Sequence, residues 1–579
     1  MQASTSALSY GATVNGGTTE FRVWAPNAQR VAVRLVGCGD LPMRRESDSS
    51  FVLTTAARAG ARYFYIVDDH QPVPDPVSRL LPQGVHGPTE IVDPNAYRWS
   101  DHDWRGMELA DYILYELHVG TFTPEGTFEG VVNRLDYLKQ LGVTVIEIMP
   151  VGAFPGTRNW GYDGVSPYAV QASYGGPNGL KRLVDAAHRA GLGVILDVVY
   201  NHFGPEGNYL RLFGPYFTDR HQTPWGEAVN YDQPGCEGVR RCVVENALYW
   251  IREYHLDGLR LDAVQTIKDN SRVHILSEIQ ENVQRLAHEL GRRVCVIAET
   301  DENDPRLVRA PAHGGYGLDA TWSDDFHHAV HTILTREDKG YYQDFGRKEQ
   351  IVRALNEGFV FQGEHFRFWN ARRGAPPEGI PLPAHVICLQ NHDQVGNRAK
   401  GERLDALAPR GACKLAAALL LLAPHTPLLF MGQEYSESSP FLFFCDFGDP
   451  ALQKAVREGR RREFQDFPWE EIPDSQDPQT FERSKLQLPV VSCQLSEMLD
   501  WYKGLIGIRR REIVPGPRTC HAELIQGAIV MRVPAEKPRV LVIAEFPDSA
   551  RLDEPERSWK SIVTSEEDNY CTRVYLPVA

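Results

Sequence analysis

Residues 178–202, NGLKRLVDAAHRAGLGVILDVVYNH, change periodicity within a few positions. In NGLKRLVDAAHRAG the apolar positions recur three and four residues apart, the spacing of one helix face. GVILDVVYN (193–201) then follows as a short apolar run, of a length that suits a strand buried on both faces, and it leads into the polar residues Asp197, Asn201 and His202. Seven other runs share this texture: ILYELHVG (113–120), TVIEIMPV (144–151), GLRLDAV (258–264), CVIAET (295–300), ATWSDDF (320–326), HVICLQNHD (385–393) and TPLLFMGQEY (426–435). Amphipathic stretches such as VHILSEIQENVQRLAHEL (273–290) lie between them. Eight buried strands alternating with helices predict the α/β class and a (β/α)8 TIM barrel. An open doubly wound sheet is the alternative, but no G-x-G-x-x-G follows a strand and no G-x-x-x-x-G-K is present to give it a nucleotide site.

On the N-terminal side, FRVWAP, RVAVRLVG, FVLTTAA and RYFYIVD alternate apolar and polar positions, which predicts an N-terminal β-sandwich over residues 1–100. The proline-rich PVPDPVSRLLPQGVHGP from Pro72 marks its boundary. The barrel is expected over 101–505. Residues 506–579 return to β texture (ELIQGAIVMRV, RVLVIAEF, TRVYLPV), expected as a C-terminal antiparallel β domain forming a second sandwich on the barrel.

With 76 acidic against 61 basic residues the net charge is −15, which disfavours an electrostatic grip on nucleic acid or an anionic membrane and suits a neutral ligand. The longest apolar run, LAAALLLLAP (415–424), is far short of the ~18 residues of a membrane span. The ten cysteines form no C-x-x-C pair, and several sit in apolar runs, as reduced buried thiols do. MQASTSALSYGATVNGG has neither the basic start nor the apolar core of a signal peptide, so a cytoplasmic enzyme is expected. The sequence leaves the oligomeric state open between monomer and homodimer.

Polar residues collect at the C-terminal ends of the predicted strands, where barrels keep their reactive groups. Strand three ends in Asp197, Asn201 and His202, strand four carries Arg260 and Asp262, strand five ends in Glu299, and strand seven in His392 and Asp393. Converging carboxylates with an arginine and histidines are what glycoside hydrolysis requires: one ionised to attack the anomeric carbon, one protonated to serve the leaving oxygen. Arg260 and Asp262 are two residues apart, so on a strand they share a face and the guanidinium favours an ionised Asp262, the better nucleophile. Glu299 follows the apolar VCVIA, where desolvation and negative neighbours raise a carboxyl toward a general acid's range.

DVVYNH (197–202), GLRLDAV (258–264), VIAE (296–299) and QNHDQ (390–394) resemble, in order, the four conserved regions of the α-amylase family, glycoside hydrolase family 13. The resemblance implies that Asp262 is the nucleophile, Glu299 the acid/base and Asp393 the third carboxylate, which holds sugar hydroxyls. It also implies that His202, Arg260 and His392 bind the sugar in the cleavage subsite, with Tyr162 of WGYDG as the aromatic platform beneath it.

FRVWAPNAQRVAVRL (21–35) is similar to the glucan-binding-like sandwich of branching, debranching and trehalose-forming members, and YELHVGTFTPEGTF (115–128) to segments of branching enzymes and trehalohydrolases. WSDDFHH (322–328), GYYQDFG (340–346), QNHDQVGNRAKGER (390–403), FMGQEYSESSPFLFF (430–444) and EGRRREF (458–464) together resemble the malto-oligosyltrehalose trehalohydrolase branch of the family, over residues 10 to 510. That resemblance implies maltooligosyltrehalose as substrate and trehalose as product. The donors and acceptors for the two 1,1-linked glucoses are expected from Asp324, Asp325, His327 and His328, with Gln265, Gln394 and Asn397 adding more. The other reading of Asp324–His328 is a capped helix start or a metal site. A His-His pair outside HExxH spacing favours no metal, and no cofactor is expected. Rival functions are a glycogen branching or debranching enzyme, or a catalytically inactive glucan-binding scaffold.

Overall fold

In the computed structural model, which describes residues 8–463, 472–487 and 493–578, the eight apolar runs form one closed parallel barrel in chain order. Its strands are β1 (Leu114–Leu117), β2 (Val145–Ile148), β3 (Gly193–Val198), β4 (Gly258–Leu261), β5 (Cys295–Ala298), β6 (Ala320–Trp322), β7 (His385–Cys388) and β8 (Thr426–Phe430). Closure is made by β8 pairing β1, with Leu428 opposite Leu114. The (β/α)8 expectation holds, with one departure: between β5 and β6 the chain makes only short 3-10 turns, Pro305–Leu307 and Pro311–His313.

Helices around the barrel include α1 (Gly176–Ala190), α2 (Cys236–Glu253), α3 (Ile275–Leu290), α4 (Asp324–Thr335), α5 (Arg410–Leu422) and α6 (Cys493–Ile508). α1 buries Leu180, Leu183, Val184 and Ala187, the stripe read from the sequence. It stops at Gly191, whose φ of 81° is the left-handed cap that turns the chain directly into β3.

Side chains two residues apart on a strand share a face, and this period arranges the barrel interior in two layers. The lower layer is apolar, with Leu114, Val145, Ile195, Ile297 and Trp322 packed together. Two residues further along each strand direction stand Glu116, Glu147, Asp197, Glu299 and Asp324. A greasy plug therefore carries a charged lid at the C-terminal rim, where water is excluded from below and the chemistry faces the loops.

The N-terminal sandwich consists of two four-stranded sheets. Strand Thr18–Trp24 of one faces strand Arg62–Val67 of the other, and Phe21 meets Tyr63 edge-on with centroids 4.8 Å apart. Trp24 reaches the barrel, packing 5.6 Å from Tyr216 and over Gly238 of α2. A Cβ at Gly238 would lie 2.2 Å from that indole, so the helix carries glycine where the sandwich docks.

The C-terminal strands depart from the expected second sandwich. They form a single five-stranded antiparallel sheet, ordered His521–Ile525, Ala528–Val533, Val540–Glu545, Tyr570–Pro577, Trp559–Glu567. One face, with Ile529, Met531, Val542, Ala544 and Val574, joins the main core beside α5, which occupies the place of a second sheet. The other face buries a small cluster, Val530, Leu541, Ile543 and Tyr575, with Ile525, Leu552 and Trp559 packed against it. α5 contains most of LAAALLLLAP, buried throughout, and no helix of the described residues is long and apolar enough to cross a membrane. Nine cysteines of the described residues are free thiols, six of them buried.

Candidate active site

Arg260 stands at the centre of the charged layer, fully buried on β4. Its Nη1 donates to Asp197 Oδ2 at 2.6 Å and to Asp262 Oδ1 at 2.9 Å, Nη2 lies 3.6 Å from Glu299 Oε2, and the guanidinium sits 4.4 Å over the Trp322 ring. One cation thus ties together carboxylates from β3, β4 and β5. Asp262 is further held by Asn201, whose Nδ2 donates to Oδ2 at 2.7 Å and to the Asp262 carbonyl at 2.8 Å.

Past Asp262 the backbone is strained. Ala263 has φ 41° and ψ 50°, the left-handed region that a residue with a Cβ occupies at a cost of ~1–3 kcal/mol. That twist aims its N–H at Glu299 Oε2, 2.5 Å away. Glu299 and Asp262 are 9% and 8% exposed, and Glu299 lines the cleft described below. Burial, reinforced by Asp262, Asp393 and Asp324, pushes the Glu299 carboxyl well above its ordinary range despite Arg260. The short helix that follows β7, His392–Gly396, carries Asp393 in its first turn, and Asn397 donates to Asp393 Oδ1 at 3.2 Å.

Tyr162, from the loop after β2, lies against the His392 ring with centroids 5.2 Å apart and planes 22° apart. Its hydroxyl is 2.6 Å from Asp197 Oδ2 and 2.7 Å from His392 Nε2. His202 sits beside the Tyr162 carbonyl at 3.0 Å, and the half-exposed Trp225, from the turn between Phe217–Thr223 and Gly226–Val229, stacks on it at 4.3 Å.

A cleft of about 340 Å³ opens above these groups, lined by Gln265, Glu299, Asp324, His328, Asp393, Gln394 and Asn397 together with Asp301, Tyr341, Phe366, Phe368, Trp369, Arg373 and Glu463. Two features of its walls suit a hydroxyl-rich ligand: Gln265 Oε1 and His328 Nδ1 are both buried without a hydrogen-bond partner. Burial and the neighbouring Asp393 push Asp324 up to about 7. Among the described residues no group of three or more His, Cys, Asp or Glu side chains could hold a metal ion.

Residues 91–215 match the family described as alpha amylase, catalytic domain, and residues 9–96 match carbohydrate-binding module 48, the isoamylase N-terminal domain. A malto-oligosyltrehalose trehalohydrolase of Saccharolobus solfataricus is 47% identical over 504 residues, 87% of each chain. One from Mycobacterium tuberculosis is 44% identical over 503 residues, 85% of this chain and 86% of that one. The chain belongs to the malto-oligosyltrehalose trehalohydrolase family. A solved structure called a putative alpha amylase from Salmonella typhimurium superposes with a TM-score of 0.90 at 40% identity, covering 99% of this chain and 100% of that one. A pullulanase of Anoxybacillus crystallised with maltotetraose shares the fold, with a TM-score of 0.71 at 19% identity over 99% and 88% of the two chains.

Two of the residues expected at the sugar site, Asp325 and His327, face away from the cleft. Asp325 is fully buried and spent on structure: Oδ2 accepts from Asn303 at 2.7 Å and from the N–H groups of Val360 and Phe361 at 2.6 and 2.9 Å, and Oδ1 pairs with Arg373 at 2.9 Å. His327 points behind the wall, donating from Nδ1 to the Leu389 carbonyl at 2.7 Å, with Nε2 3.2 Å from the Tyr342 hydroxyl. The physical reason is helical geometry. Asp324–His328 begins α4, and consecutive residues on a helix point 100° apart, so Asp324 and His328, four apart, face the cleft while Asp325 and His327 face the protein.

The sequence reading missed the wall that Arg373 and its aromatic neighbours supply. Arg373 lies 4.8 Å from the Phe366 ring and 5.4 Å from that of Trp369, and its Nε donates to the Asp301 carbonyl at 2.7 Å. The dense HFRFWNARR segment (365–373) was the available signal. Of EGRRREF, Phe464 lies outside the described residues.

Proposed function

We propose that this chain is a retaining α-glycosidase that hydrolyses the α-1,4 bond next to the terminal trehalose of maltooligosyltrehalose, releasing trehalose and a maltooligosaccharide. The observation that carries the chemistry is the single buried guanidinium of Arg260 touching both Asp262 and Glu299 at the rim of one cleft. Asp262 is the nucleophile: its carboxylate, held by Arg260 and Asn201, attacks the anomeric carbon while the C–O bond to the trehalose breaks. Glu299, kept protonated by burial, gives its proton to the departing oxygen. Water then loses a proton to the Glu299 carboxylate and attacks the glycosyl ester, which restores both groups.

In this reading Asp393 holds sugar hydroxyls, and His202, Arg260, His392 and Tyr162 form the cleavage subsite. Asp324, His328, Gln265, Gln394 and Asn397 are the trehalose-side contacts that the cleft geometry supports. Trehalose as the leaving group is supported by the relatives' names at 43–47% identity. A 1,4-alpha-glucan branching enzyme of Corynebacterium jeikeium matches at 30% over 61% of this chain, a weaker likeness. The division at 1–100, 101–505 and 506–579 and a cytoplasmic setting, in keeping with the free buried thiols, belong to the same proposal. So does an active unit that is a monomer or homodimer.

The test is product identification after incubation with maltotriosyltrehalose. Free trehalose on chromatography supports the reading. A shift in the iodine colour of amylose without trehalose release would mean branching, and glucan binding without turnover would mean a scaffold.

A further inference from the structure

Glu116 sits on β1 in the YELHVGTF segment, 1% exposed, and has no part in the chemistry described above. Both of its oxygens face one residue. Oε1 lies 2.5 Å from His392 Nδ1, and Oε2 accepts from the His392 backbone N–H at 2.9 Å. On the other side of the ring, Nε2 lies 2.7 Å from the Tyr162 hydroxyl, which itself lies 2.6 Å from Asp197 Oδ2.

Counting protons along this chain fixes the charge of the ring. Burial raises the Asp197 carboxyl to about 6, and Arg260 Nη1, donating to its Oδ2 at 2.6 Å, works against that rise, so the group is ionised at pH 7. A carboxylate only accepts, so the single phenolic proton of Tyr162 goes to Asp197, and the Tyr162 oxygen must accept from His392 Nε2–H. Glu116 Oε1, 2.5 Å from Nδ1, takes the Nδ1–H. Both ring nitrogens then carry hydrogen.

We propose that Glu116 is a positioning residue for the hydrolysis, acting through His392: it orients the imidazole and keeps it a cation, so that Nε2–H stays a donor beneath the cleavage subsite. Carboxyl groups face the ring from Glu116 on β1, Glu147 on β2, Asp197 on β3 and the adjacent Asp393, with burial pushing Glu147 well above the usual carboxyl range, and Arg260 on β4 opposes a charge on the ring. His118 at the end of β1 is pushed by burial down to about 4 and stays neutral, and Trp322 on β6 contributes an uncharged ring 6.3 Å away. Burial works against the charge on His392, but Asp393 and Glu116 outweigh it and hold the group up to about 9. With the imidazole charged, Tyr162 keeps its hydrogen-bonded place and the platform keeps its tilt.

The inference rests on reading His392 as a cleavage-subsite residue, so the test avoids the step that Glu299 controls. With α-maltotriosyl fluoride as substrate the leaving group needs no proton, and the alkaline limb of kcat/KM reports His392 rather than Glu299. The wild type should show that limb near pH 9. Glu116→Gln should lower kcat/KM at pH 7 by about tenfold or more and move the limb down by about one pH unit or more. Glu116→Asp should fall between the two. In a His392→Gln background, adding Glu116→Gln should cost less than about twofold further. A limb that stays in place in both the Gln and the Asp variants, or losses that simply multiply in the double variant, would overturn the proposal and leave Glu116 a structural residue. Failure of the functional reading is separately visible, since it would appear as a wild type that cleaves the fluoride but releases no trehalose from maltotriosyltrehalose.

Discussion

The backbone N–H of Ala263, the residue after Asp262, donates to Glu299 Oε2 at 2.5 Å. The proposed nucleophile and acid are therefore not two independent side chains on neighbouring strands. The left-handed strain at Ala263 is held by the bond it makes to the second carboxyl, so the turn after β4 and the end of β5 keep their spacing together.

Asp262→Asn should remove several orders of magnitude from turnover while the protein stays folded, because the volume is kept and the nucleophile is lost. Activity within tenfold of wild type would refute that role. Glu299→Gln should be as severe on maltotriosyltrehalose but recover part of its rate on substrates with good leaving groups, which need less protonation. The two carboxyl groups are expected ~5–5.5 Å apart, as in retaining enzymes.

His328 and Asp325 should part company under mutation. His328→Ala opens the cleft wall and removes the unpartnered ring nitrogen, so it should lower kcat/KM for maltotriosyltrehalose about tenfold more than for maltopentaose, equivalent to ~1.4 kcal/mol. Asp325→Ala leaves Arg373 buried without its carboxylate and should destabilise the fold by ~3–5 kcal/mol, with similar losses on both substrates. Thermal denaturation beside kinetics on the two substrates separates the outcomes.

At the opposite end of the barrel, His188 is held between Asp101 at 2.8 Å and Asp257 at 2.9 Å, under the Trp104 ring. Burial disfavours its charge, yet the bonds from both carboxylates raise it above the usual histidine range. Its stabilising contribution is complete below the unfolded value of ~6.5 and is lost as pH rises through the raised folded value. Both carboxylates are lowered despite burial, by His188 and, for Asp101, His255 as well, so their share is present above ~4 and lost as pH falls through their depressed values. The share from His188 and the two carboxylates should peak between about pH 4 and 6.5, with His255, lowered by burial, opposing it below ~6.5, and His188→Gln should flatten that part of the melting-temperature profile. An unchanged profile would mean that the cluster is stability-neutral.

The barrel was legible because strands buried on both faces write themselves as apolar runs, and all eight runs became strands. The charged layer was legible for the same reason: on a strand, Arg260 and Asp262 can only share a face. What remained hidden lay where direction depends on packing. Asp325 and His327 read as sugar contacts until the helix phase of α4 turned them inward. Arg373 lies on a two-stranded hairpin, Glu364–Phe366 with Ala371–Arg373, whose approach to the cleft follows from tertiary contacts and not from any local pattern. The C-terminal strands alternate as a sandwich would, but the sequence does not reveal that α5 covers the face a second sheet would have taken.

A proton NMR time course of maltotriosyltrehalose hydrolysis tests retention of configuration and cleavage beside trehalose at once. Trehalose and α-maltotriose should appear together, with the β anomer growing in only by later mutarotation. Initial β-maltotriose, or glucose and maltose appearing in place of trehalose, would contradict retaining cleavage beside trehalose.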